Sequence, residues 1–185
     1  MERTLKVSLT ERDYYNFNKF HMRHSPYGKR NSRAIYIIAA VMALLIAGMN
    51  FIVEGVTLET VLMIFPYAVV IVAMLALITP LSLLVLKLQI AIMKKSGKLP
   101  YEESSMVELH DDYFVEITEK SRNEIKYTGA EGIMVASDGS IYVYMNSLTV
   151  YILPPSSFES DEDRKEISAF LCEKIDSFDK EKKNA

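Results

Sequence analysis

The sequence predicts an α+β membrane protein, with a two-helix transmembrane hairpin inserted after the first strand of a cytoplasmic antiparallel β domain that ends in a helix. Three observations carry this reading. Two apolar runs without ionisable residues, Ala34–Val53 and Val61–Leu86, stand only seven residues apart. Basic residues flank the pair on both outer sides and are missing from the connection. From Ser105 onward the apolar pattern alternates in short segments separated by turn residues.

At about 1.5 Å rise per residue, the first run makes a helix of roughly 30 Å, the hydrocarbon thickness of a bilayer. The second run is longer, so it must tilt, kink at Pro66 or Pro80, or extend into the headgroups. Two such runs in one 185-residue chain argue against a buried soluble helix. A first run that begins at residue 34, with no small-residue cleavage site, argues against a cleaved signal peptide. Arg23, Lys29, Arg30 and Arg33 precede the first span and Lys87, Lys94, Lys95 and Lys98 follow the second, whereas the connection holds Glu54 and Glu59. The positive-inside rule then places both termini in the cytoplasm.

Charge divides the chain in the same place. Residues 1–100 carry 12 Lys and Arg against 5 Asp and Glu, and residues 101–185 carry 9 against 19, a balance of −10. Such a deficit opposes nucleic-acid binding, which depends on phosphate contacts, and opposes anionic headgroup recognition by the β domain. The single cysteine, Cys172, allows no intramolecular disulfide. The resulting organisation is 1–33 for an N-terminal strand and amphipathic helix, 34–86 for the hairpin (34–53 and 61–86), 87–104 for a helix extension and linker, and 105–185 for the β-rich domain with its helix.

Thr4–Leu9 alternates as a short strand. Thr10 and Asp13 resemble a capping box, and Tyr14, Phe17 and Phe20 recur at helical spacing, predicting a helix over Glu11–His24. Its aromatic face either lies in the membrane interface or packs on the β domain. Ser25-Pro26-Tyr27-Gly28 breaks it. His21 and His24 sit three apart on this helix, but zinc usually takes four ligands and no cysteine is near. They read as surface histidines.

In the first span Ala39, Ala43 and Ala47 recur every four residues, a small face suited to close approach of the second span, with a homodimer seam as the other reading. The ionisable groups that proton relays and ion-coupled transporters carry within the membrane are missing from both spans. Lys87–Pro100 extends the second helix into the headgroup layer, where its lysines suit an anionic leaflet, and Gly97 and Pro100 end it.

Met106–His110, Tyr113–Glu119, Glu124–Thr128, Gly132–Ala136, Ser140–Tyr144 and Leu148–Leu153 each read as a strand, with Asp138-Gly139 marking a hairpin through a primed turn. Alternation assigns Val107, Leu109, Tyr113, Val115, Ile117 and Ile125 to the core face. Further along it adds Tyr127, Ile133, Val135, Ile141, Val143, Val150 and Ile152. The opposite face carries Phe114, Met134, Tyr142, Tyr144, Tyr151 and Leu153, too apolar for an open sheet, so it either binds a partner or is covered from within. After Pro154-Pro155-Ser156-Ser157, Ser160 and Asp163 start a helix with the stripe Ile167, Phe170, Leu171, Ile175 and Phe178. Cys172 flanks the stripe as a packing residue. The charged tail Asp179–Ala185 frays.

The order of N-terminal strand, two-helix hairpin, β-rich segment and helix, together with the strand-turn-strand stretch Ile141–Phe158 and its "IxLPxxxF" ending, resembles the YcxB-like family of bacterial membrane proteins. The resemblance implies a split, pleckstrin-homology-like small barrel in the bacterial inner membrane, whose first strand is returned to the others across the hairpin. It implies no catalytic residues. The sequence itself offers no nucleophile–base pair, metal cluster or phosphate loop, so no catalytic, cofactor or metal site is assigned and Glu102-Glu103 and Asp111-Asp112 read as loop charges. The expectation is a non-catalytic interaction or scaffold module with the lipid bilayer and a protein partner; the alternative is a subunit of a homo-oligomeric membrane assembly through Ala39, Ala43 and Ala47, or a transporter accessory component.

Overall fold

The computed structural model describes residues 2–97 and 99–175, with the side chains of Glu54, Val61 and Met63 excepted. Lys98, Phe178 and the tail Asp179–Ala185 lie outside the described residues. The chain divides into a β unit, Met1–Phe20 with Ile90–Ala185, and a helical unit, His21–Gln89.

In the β unit, β1 (Arg3–Ser8) pairs antiparallel with β2 (Ser104–Leu109) from Arg3↔Leu109 to Ser8↔Ser104. β3 (Tyr113–Ile117) and β4 (Arg122–Lys126) complete a four-stranded sheet in sequence order, and β5 (Gly132–Val135), β6 (Ile141–Tyr144) and β7 (Val150–Leu153) form a second, three-stranded one. Among the described residues there are seven strands, and the first pairs with the second across the intervening helices. The expected closed small barrel is not present: the described strands fall into two sheets with no ladder joining them. The third predicted strand stops early because Tyr127–Gly129 turns as a 3-10 helix, its Tyr127 N–H held by the Asp112 carbonyl and its hydroxyl donating to the His110 carbonyl. At the other junction Pro154 and Pro155 follow β7 and lack the N–H a continuing strand needs.

The core gathers Leu5, Val7, Val107 and Leu109 from the first two strands, Ile133, Ile141 and Val143 from the second sheet, and Ile167, Leu171 and Ile175 from the C-terminal end. Val115 and Ile152 are buried as expected, and in both strands the opposite face is buried as well: Phe114 in β3 and Leu153 in β7 join this cluster. β7 is apolar on each face, and in β3 the face of Phe114 also carries Glu116, so alternation selects Val115 without revealing that Phe114 is buried too. Val135 is a correction, being exposed at the end of β5.

α1 (Glu11–His24) has the predicted bounds. The Thr10 N–H donates to Asp13 Oδ2 (3.0 Å) and the Asp13 N–H to Thr10 Oγ1 (3.3 Å). Phe17 and Phe20 pack on Tyr142 at ring centroid distances of 5.2 and 5.0 Å. The aromatic face of α1 thus lies on the β unit, and Tyr142 and Tyr144 are covered from within the chain. α4 (Asp161–Lys174) begins with the Asp163 N–H donating to Ser160 Oγ. It is tied to β1 by Arg3, which bonds Asp163 (3.2 Å) and Glu166 (3.1 Å).

The Asp138-Gly139 turn differs from a primed turn, since only Gly139 has positive φ (+90°). The Gly139 N–H donates to the Ala136 carbonyl and Ala136 N–H to that of Ser140. This is the three-residue loop built on an ordinary turn plus one left-handed residue.

In the helical unit, α2 (Pro26–Glu54) starts eight residues before Ala34, and α3 (Leu58–Lys95) runs unbroken past Pro66 and Pro80. Their lengths are about 43 and 57 Å. The break between α1 and α2 is only Ser25, whose Oγ accepts the Gly28 N–H (2.9 Å) and donates to the His21 carbonyl (2.6 Å), with Pro26 suited to the first helical position. The loop shrinks to three residues, Gly55–Thr57, because Thr57 Oγ1 takes the Thr60 N–H and starts α3 early. Ile35, Ala39, Ala43, Ile46 and Ala47 form one half-buried stripe on α2, and Ile64, Ile71, Leu75 and Leu83 one on α3. The remaining surface of both is apolar and exposed. Both helices are long and apolar enough to cross a membrane, with mean hydropathies of 2.4 and 2.8.

Candidate functional site

Four sheet edges exist in the β unit, and three are protected. β1 packs against the Pro155–Ser157 turn, β4 is exposed but charged, and α4 packs beside β5. β7, Val150-Tyr151-Ile152-Leu153, carries no charge, and among the described residues no strand pairs with its outer side. The Met145 N–H donates to the Thr149 carbonyl, so by the alternation of an antiparallel ladder Val143↔Tyr151 exchange hydrogen bonds and Tyr144↔Val150 do not. Val150 and Ile152 therefore aim their N–H and C=O groups off the sheet, and no described backbone group takes them.

Beside this edge lies a groove of about 240 Å³. Its floor is Val7 of β1 and Val107 of β2, its far wall Tyr14 and Phe17 of α1 with Tyr101, and its near wall β7. The Tyr14 and Tyr101 rings lie 5.1 Å apart. Leu148 stands at the rim, 93% exposed, presented by a turn in which Asn146 Oδ1 accepts the N–H groups of Leu148 and Thr149.

Among the described residues, Glu102 and Glu116 are the carboxylates that line the groove, and no Lys, Arg or His lines it. Burial raises the pKa of Glu116, Asn123 opposes the shift with a hydrogen bond, and the charge of Glu102 adds to it. Tyr151 is also raised, first by burial and then by Glu116. Outside the groove, Lys94 pairs with Glu11.

The residues weighed from sequence fall elsewhere. His21 is half-buried, stacked on Tyr27 at 6.4 Å, and its pKa is lowered by burial; His24 is exposed. Among the described residues no cluster of three His, Cys, Asp or Glu side chains is placed to hold a metal. Cys172 is partly buried against the core. Of the apolar second face, Phe114 is core, Met134, Tyr142 and Tyr144 are buried, and Tyr151 and Leu153 line the groove, Leu153 belonging to the core as well. Sequence reasoning missed the groove, although a charge-free β7 preceded by Leu148 was its one visible signal.

Two antiparallel sheets with a terminal helix, joined in one chain to two long apolar helices, define a mixed α+β protein with a potential membrane anchor. Residues 109–171, from the end of β2 into α4, match the family model described as YcxB-like protein, and the resemblance seen in Ile141–Phe158 is thereby shown for that segment. No curated protein and no solved structure matches the chain.

Proposed function

We propose that the chain is a membrane-anchored, non-catalytic interaction module whose β unit receives an extended segment of a protein partner along β7. The observation that carries this reading is the unpaired, uncharged β7 edge beside an apolar groove, the arrangement that strand addition uses: main-chain bonds to the edge, side-chain pockets beside it. The apolar, exposed surface of α2 and α3 supports insertion in a bilayer, where its burial would stabilise the fold. Arg23, Lys29, Arg30 and Arg33 near the start of α2 and Lys87, Lys94 and Lys95 near the end of α3 support a multi-pass arrangement in the bacterial cell membrane with both termini cytoplasmic. A homo-oligomeric assembly through Ala39, Ala43 and Ala47, each half-buried in the single chain, is the other reading.

A photo-crosslinking residue at Leu148 in native membranes tests the docking reading. One discrete protein adduct is expected there and not from the same residue at Glu124 on β4. Adducts of equal pattern from both positions would overturn it.

A further inference from the structure

We infer that the segment received by the groove carries an arginine or lysine among apolar neighbours, its cation placed between Glu102 and Glu116. The inference rests on the docking reading above and names the chemistry of the partner. Among the described residues the groove offers two carboxylates and no cation. Lys120 lies 3.9 Å from Glu102 but is itself largely exposed, so it screens Glu102 weakly. Glu116 sits half-buried on β3 opposite Asn123, in a setting that disfavours an isolated carboxylate charge. An incoming cation would relieve that penalty. The paired Tyr14 and Tyr101 rings on the far wall present faces on which a guanidinium can lie. The remaining surface of the groove, Val7, Val107, Val150 and Ile152, suits alternate apolar side chains of an extended strand. The 9 to 19 imbalance of residues 101–185 would steer a basic segment toward this unit from a distance.

The test is selection of displayed random peptides of about eight residues, a strand with its flanks, against the full chain in nanodiscs of zwitterionic lipid. Binders are expected to share one Arg or Lys flanked by alternating apolar residues. Glu102→Gln with Glu116→Gln should weaken them at least about tenfold, the strength of a charge-assisted pair. Val150→Pro, which removes an outward N–H without touching the ladder to β6, should abolish binding. If Val150→Pro does not fold, Leu148→Asp replaces it, since that side chain is 93% exposed and its substitution leaves the core intact. Binders lost on Val150→Pro or Leu148→Asp but lacking a shared basic residue would overturn the inference and leave the docking reading standing. Binders indifferent to both edge substitutions, or no binders, would overturn the docking reading with it.

Discussion

Replacing Leu5 by Ala probes the most distant pairing in the molecule. Leu5 is 4% exposed, lies opposite Val107 in the β1–β2 ladder and belongs to the core cluster with Leu109. Removing a fully buried leucine costs the transfer term and leaves a cavity, together about 3 kcal/mol in a well-packed site. For a unit of about 100 residues that corresponds to a drop of about 12 °C in Tm. Its neighbour Lys6 is exposed on the same strand, and Lys6→Ala should change stability by less than about 0.5 kcal/mol. Hydrogen exchange read by mass spectrometry on the full chain in detergent should show Ser104–Ile117 losing roughly a hundredfold in protection in Leu5→Ala, if the sheet opens as one unit. Unchanged protection over those residues would refute the argument, because β1 would then contribute no burial to strands made about a hundred positions later.

Two further outcomes follow from single sites. In Gly28→Ala the new Cβ would meet the His21 carbonyl oxygen at 2.1 Å and Met22 Cα at 2.8 Å, both backbone, so the α1–α2 corner must open; faster tryptic cleavage at Arg23 is expected, and wild-type resistance would contradict it. Burial pushes the Tyr142 pKa from 10.0 up to about 12, against the hydrogen bond from Ser140. The folded state therefore holds a proton that the unfolded chain has released, so this stabilisation is complete below pH 10 and fades as pH rises toward 12. Tyr142→Phe should make the alkaline loss of stability shallower, and an identical pH profile would dismiss the assignment.

Elements defined by local chemistry were legible in the sequence. The Thr10/Asp13 and Ser160/Asp163 starts, the helix over Glu11–His24 and the seven strands all depend on residues within a few positions of one another. Faces were legible only where one side was polar. β2 reads correctly through Val107 and Leu109, whereas in β3 alternation selects Val115 without revealing that Phe114 is buried too, and the wholly apolar β7 leaves it undecided. The barrel failed for a different reason: closure depends on whether β4 continues into β5 and β7 continues past Leu153, and the 3-10 turn at Tyr127 and the two prolines decide that locally. The groove was least legible because it is assembled from β1, α1, β2 and β7, which no sequence window contains together.

The pairing of β1 with β2 also sets an order of assembly. Synthesis delivers β1 and the aromatic face of α1 first, and about 95 residues must follow Ser8 before Ser104 exists to pair with it. Closing a flexible loop of that length costs about 4 kcal/mol in entropy, and two long helices shorten the effective loop by folding before the sheet does. Until then Leu5, Val7, Phe17 and Phe20 have nothing to cover them. The sheet is thus completed only after Ser104–Leu109 has been made, and Leu5 and Val7 stay without their β2 partners until then.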